Sequence, residues 1–127
     1  MKFTQPFEIT KWDQSTYDDA DALELGRATV GKNFADGELV GTSSAELLMV
    51  GTSAGPAAYT AVERFTGKLA GREGSFVMVH GASAAETSSL GRIVAAVGDL
   101  TGLTGTVVYE HDDKGPRLTV DYELPSA

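Results

Sequence analysis

The chain has 127 residues, 42% of them hydrophobic, with a net charge of -8 and no cysteine. This is enough for one compact domain spanning residues 1–127 and too little for two. The acidic balance and scattered Lys and Arg argue against nucleic acid or an anionic membrane as partner. The lack of Cys removes disulfides, thiolate metal sites and thiol nucleophiles, and leans toward a cytoplasmic location.

Met1-Lys2-Phe3-Thr4-Gln5-Pro6 has no apolar run behind its positive charge, so no secretory signal is expected, and no stretch reaches the length of a membrane span. Alternation between clusters of Gly, Asp, Ser and Pro recurs along the chain, whereas helical periodicity is scarce, which predicts an all-β domain. Eight strands are expected, over residues 3–12, 23–34, 38–50, 57–69, 72–82, 90–97, 105–111 and 116–124. The first ends at Trp12, either a core residue or a ring that stacks on a ligand at a barrel mouth. Residues 13–22 hold four aspartates and little apolar surface, and read as a solvated loop. They lack the Gly and terminal Glu of a calcium loop, so no metal is expected. Arg27 shares its alternation with Leu23 and Leu25, so it either turns inward toward a ligand or an internal carboxylate or marks a change of face along the strand.

Gly51-Thr52-Ser53-Ala54-Gly55 matches the spacing of a hydrolase nucleophile elbow. It lacks the strand-then-helix setting such an elbow requires, and reads as a hairpin loop. Over 57–69 the alternation puts Tyr59, Ala61, Glu63, Phe65 and Leu69 on one face, and over 72–82 it groups Phe76, Met78 and His80. The short Ala70-Gly71 link sets Leu69 opposite Arg72, hence Glu63 opposite Met78 and Ala61 opposite His80. His80 then lies diagonally between Glu63 and Tyr59, about 7–8 Å away at the backbone and within side-chain reach. Residues 82–92 are Ala-rich enough for a helical turn. Gly98 to Gly105 form a tight connection pinned by Leu100 and Leu103. Asp112-Asp113-Lys114-Gly115 is a hairpin turn before the alternating strand that carries Leu118, Val120, Tyr122 and Leu124.

Eight short antiparallel strands rich in glycine favour a barrel, just wide enough to be filled by side chains or to hold one small ligand. On the inward face Glu63, His80 and Tyr59 are the candidate catalytic groups. Burial should raise the Glu63 pKa, unless Arg64, Arg72 or backbone N–H groups satisfy it. Phe65, Phe76, Met78, Trp12, Arg27 and Tyr122 are the candidate ligand contacts; Tyr109 could equally be an interfacial tyrosine.

Phe7-Glu8-Ile9 with Trp12, the run from Arg27 to Phe34, Glu63-Arg64-Phe65-Thr66-Gly67, Gly71 to Val77, His80, Gly98 to Gly105 and Leu118 to Tyr122 together resemble the bacterial family known as domain of unknown function 3224. Val79 stands where that family usually has Gln, and its strand around 82–92 is richer in glycine. The resemblance implies an allene oxide cyclase-like, or calycin-like, barrel with a ligand cavity; barrels of that type include cyclases and isomerases acting on apolar substrates. The leading expectation is therefore a site for a small, largely apolar molecule, with cyclisation or isomerisation by acid–base steps and no cofactor. A non-catalytic carrier or sensor, or a filled barrel serving as an interaction module, are the other readings. Self-association into a homo-oligomer through an outer face is also expected.

Overall fold

The computed structural model describes residues 1–125. Nine strands form one sheet: β1 (Lys2–Pro6), β2 (Glu8–Asp18), β3 (Glu24–Phe34), β4 (Leu39–Thr52), β5 (Gly55–Leu69), β6 (Arg72–Ser83), β7 (Ser89–Gly98), β8 (Thr104–Asp112) and β9 (Gly115–Glu123). All neighbours are antiparallel, in the order β1-β9-β8-β7-β6-β5-β4-β3-β2. The sheet curls into a half-barrel whose two outermost strands are consecutive in sequence: β1 pairs with β9, β2 pairs with β3, and only Phe7 lies between them. Among the described residues no helix is long and apolar enough to cross a membrane.

The expected first strand is two strands, which raises the count from eight to nine. Pro6, opposite Arg117, ends the pairing with β9, and its ring nitrogen has no N–H for a further ladder bond. The Phe7 ring packs at 5.2 Å from Phe34 and 5.5 Å from Tyr109, anchoring the crossing from one sheet end to the other. The expected loop at 13–22 is corrected too: β2 runs on to Asp18 along β3, while all of its residues stay exposed. A strand wetted on both faces carries no apolar alternation, so its polarity resembles that of a loop. A bulge between Ile9 and Lys11 shifts the inward phase, so that Ile9, Trp12 and Gln14 all face the hollow.

The β5–β6 hairpin has the expected register, Leu69 with Arg72, Glu63 with Met78 and Ala61 with His80. Its turn places Ala70 at φ 50° and Gly71 at φ 84°, the left-handed pair that matches strand twist. Ser53 and Ala54 form the β4–β5 turn, as the hairpin reading of that glycine-flanked serine required. Residues 84–88 link β6 to β7 through one hydrogen-bonded turn, Glu86 N–H to the Ser83 carbonyl at 3.0 Å, without a helix; the Glu86 carboxylate accepts in return from the Ser83 N–H and hydroxyl. Leu100 and Leu103 are buried beneath the β7–β8 connection.

Side-chain volume changes along the strands. Toward the turns at one end, Phe34, Leu39, Phe65, Leu69, Phe76, Leu118 and Tyr122 fill the interior, with Phe65 5.1 Å from Phe76 and 5.7 Å from Phe34. Toward the other end the inward positions of β3, β4 and β5 are Ala28, Val30, Ala45, Leu47 and Ala61, which leave the middle open.

Gln5 stitches the N-terminal segment to this frame. Its buried amide donates to the Leu39 carbonyl at 2.7 Å and the Ala35 carbonyl at 3.1 Å, and accepts from the Leu39 N–H at 2.9 Å. Replacing it strands two buried backbone groups of Leu39, each costing about 1–3 kcal/mol. Gln5→Ala is therefore expected to lower the unfolding free energy by about 3 kcal/mol, measured by urea denaturation. A loss under about 1 kcal/mol would show that the stitch is not needed.

Candidate functional site

Glu63 lies on β5 where the filled end gives way to the hollow end, and it is 0% exposed. An ionised carboxylate there loses its hydration and needs several donors to remain charged. It has four, each from a different strand. Oε1 accepts from Lys32 Nζ of β3 at 2.9 Å and His80 Nε2 of β6 at 2.7 Å. Oε2 accepts from the Ser43 hydroxyl of β4 at 2.5 Å and the Tyr109 hydroxyl of β8 at 2.9 Å. Lys32 Nζ also sits 3.9 Å over the Tyr109 ring and 5.2 Å from that of Phe7, so ring faces supply part of its solvation.

These partners reverse the expected pKa shift. Burial pushes the Glu63 carboxyl up, but the His80 hydrogen bond, the Lys32 charge and the Ser43 hydroxyl together pull it down to about 2. Burial lowers the Lys32 ammonium against the raising pull of Glu63, and burial together with the Glu63 charge holds the Tyr109 phenol well above its ordinary value. The expected alternatives, Arg64 and Arg72, do not reach Glu63: Arg64 points outward, and Arg72 donates to the Pro125 carbonyl.

An ionised carboxylate can only accept, so His80 Nε2 carries a proton toward it. In the neutral ring Nδ1 is then an acceptor, and the Tyr59 hydroxyl lies 3.0 Å from it. Tyr59, His80 and Glu63 thus form a phenol–imidazole–carboxylate chain, the order in which a buried carboxylate orients an imidazole toward a hydroxyl. His80 is held tightly in place: Gly91 lies opposite it on β7, where a Cβ would run into the Val79 carbonyl oxygen and come within 2.6 Å of the His80 Cβ.

This chain forms part of the floor of a cavity of about 710 Å³. Lys32, Tyr59, His80 and Tyr109 reach its surface, and Trp12, Val30, Leu47 and Met49 give it apolar walls. Glu24, Glu86, Glu110 and His111 also line it. Glu63 is not at that surface; it lies beneath it and acts through the groups it holds. Among the described residues no group of three or more His, Asp or Glu side chains is placed to hold a metal ion.

The fold and site define a curled antiparallel β-sheet protein with a saturated carboxylate under an apolar hollow. The chain belongs to the family described as "Protein of unknown function (DUF3224)", which matches residues 3–124. It is similar to a solved structure of a protein with unknown function from the same family, from Shewanella oneidensis MR-1, with 29% identity and a TM-score of 0.86, covering 100% of this chain and 98% of that one. No curated protein matches the chain.

Of the residues singled out in the sequence, Glu63, His80 and Tyr59 come together, and Trp12 lines the cavity at 52% exposed instead of entering the core. Phe65, Phe76, Met78 and Tyr122 are not cavity contacts, because they fill the closed end. Arg27 is corrected to the outer face, where it pairs with Glu46 at 3.5 Å; the inward phase of β3 runs through Gly26, Ala28, Val30, Lys32 and Phe34. That same phase holds the signal for Lys32, which with Ser43 is a central residue the alternation reading does not select. Ser43, diagonal to Glu63 across the β4–β5 pair, needed that pair's register, and the inward role of Tyr109 needed the curl of the sheet that brings β8 to β5.

A carboxyl with a depressed folded-state pKa contributes stability that is present above its unfolded value and is lost as pH falls toward the folded one. For Glu63, lowered from 4.5 to about 2, this contribution is about 3 kcal/mol, disappearing between about pH 5 and pH 2. Glu63→Gln should flatten that part of the pH–stability curve while lowering stability at neutral pH, since Lys32 loses its counter-charge. Equal acid slopes for the two proteins would contradict the assignment.

Proposed function

We propose that this protein binds a small, neutral, largely apolar molecule in the hollow end of an allene oxide cyclase-like, calycin-type barrel, with Tyr59 as the group that meets the ligand's oxygen. The observation that carries this reading is the juxtaposition of an apolar-walled cavity of about 710 Å³ with the Tyr59–His80–Glu63 chain at its floor. That volume suits a single small-molecule ligand. Neutrality follows from charge: Glu63 already balances Lys32, the lining carries Glu24, Glu86 and Glu110, and the whole chain is at -8, so an acid would be repelled.

In the enzymatic form of this reading, Tyr59 passes its proton to His80 Nδ1 and takes one from the ligand, Glu63 stabilises the imidazolium, and Tyr59 then returns a proton to the ligand and regains its own from His80, so a cyclisation or isomerisation proceeds with no net proton change. A carrier or sensor is the second reading. It is favoured by His80 having both ring nitrogens already bonded, which leaves Tyr59 as the only member of the chain open to a ligand. Product analysis separates the two, since a carrier returns its ligand unchanged.

Native mass spectrometry and thermal shift with decanol, methyl nonanoate and decanoate test the binding itself. The two neutral probes should bind and decanoate should bind less. Tyr59→Phe should weaken decanol binding about tenfold, the value of one hydrogen bond, and Met49→Trp should block it by filling the hollow. Failure of both neutral probes, or affinity indifferent to both substitutions, would refute the site.

A further inference from the structure

We propose that Lys32 is a nucleophilic amine that captures a carbonyl compound in the cavity, holding an aldehyde or ketone as an imine. This rests on the cavity being a ligand site, and adds the chemical class of ligand. Three features carry it. First, Lys32 lines the cavity, and among the described residues its only oxygen partner is Glu63 Oε1, so two of its three N–H positions have no oxygen acceptor there. Second, Glu63 does not depend on Lys32 alone: His80, Ser43 and Tyr109 donate to it as well, so the carboxylate remains hydrogen-bonded when Lys32 gives up a proton. A simple two-member ion pair would lack that freedom.

Third, the product suits the site. A protonated imine keeps its positive charge beside Glu63 and over the Tyr109 ring, where the ammonium sits now. Val30, Leu47 and Met49 give the alkyl chain of the captured carbonyl compound an apolar wall to lie against. Burial already lowers the Lys32 pKa against the pull of Glu63, which increases the share of free amine.

In the step itself, the neutral Lys32 nitrogen attacks the carbonyl carbon and a C–N bond forms. The nitrogen's two remaining protons end on the former carbonyl oxygen, which leaves as water as the C–O bond breaks and C=N forms; the imine nitrogen then takes back from water the proton the ammonium gave up before the attack, which gives the protonated imine. The Tyr59 hydroxyl, on the same cavity, is the shuttle for those protons. No oxidant or reductant is consumed.

The test treats the whole chain with decanal and cyanoborohydride near neutral pH, then maps alkylated lysines by peptide mass spectrometry, with decanol binding measured in parallel. Lys2, Lys11, Lys68 and Lys114 are all exposed and serve as internal references. Lys32 should be labelled about tenfold faster than any of them, and excess decanol should suppress that labelling alone. Lys32→Arg, which keeps a cation beside Glu63, should still bind decanol and lose the selective adduct; if it fails to fold, the wild-type map decides. Labelling at Lys32 no faster than at the exposed lysines overturns the proposal. If decanol binds in that case, the ligand-site reading survives without covalent capture; if it does not, both fall together.

Discussion

The structure turns on one carboxylate with every acceptor position used. Glu63 is reached by Lys32, Ser43, His80 and Tyr109, so a single buried charge ties β5 to β3, β4, β6 and β8. Burying that charge unpaired would be costly enough to force protonation. With two oxygens each taking two donors, the ionised form wins, and the carboxyl ends far below its ordinary value despite complete burial. The network therefore acts as a cross-brace and as a fixed negative centre. Removing the carboxylate would leave Lys32, Ser43 and Tyr109 without their shared acceptor, whereas loss of one donor leaves three.

Its position follows from the volume gradient along the strands. On β5 the inward sequence passes from Phe65 through Glu63 to Ala61, and on β3 from Phe34 through Lys32 to Val30 and Ala28. Large rings close one end, small side chains open the other, and the polar residues occupy the level between. The rings of Phe7 and Tyr109 beside Lys32 continue the closed end up to the charged layer. A cavity floor of this kind combines low polarisability with fixed dipoles, and electrostatic interactions are strongest in such a setting.

What could be read from the sequence was local. The Ala70-Gly71 turn set the register of one hairpin, and the diagonal placing of His80 between Glu63 and Tyr59 followed from period-two geometry. What escaped depended on distance in the chain or on absent contrast. Glu63 meets Lys32, Ser43 and Tyr109 across separations of 31, 20 and 46 residues, so the sign of its pKa shift was set by partners no local pattern connects to it. On β3, Leu23 and Leu25 suggested one phase while Ala28, Val30 and Phe34 carried the other. The exposed leucine and the small alanine made the wrong phase look the more apolar, and Arg27 was turned inward in place of Lys32. β2 was hidden because a strand wetted on both faces has no alternation to detect.

The order of groups in the network separates holding from contacting. Glu63 and Ser43 lie below the cavity surface, His80 is bonded at both ring nitrogens, and Gly91 lets β7 press against it so that the ring has little freedom to turn. Tyr59, half-buried at the outer end, is where this rigid chain meets the hollow. A change of partner at the Tyr59 hydroxyl alters the last hydrogen bond of the series without disturbing the first. The charged layer beneath keeps the five strands in register, and the groups that stabilise the fold are largely distinct from Tyr59, the one member of the series that faces the hollow.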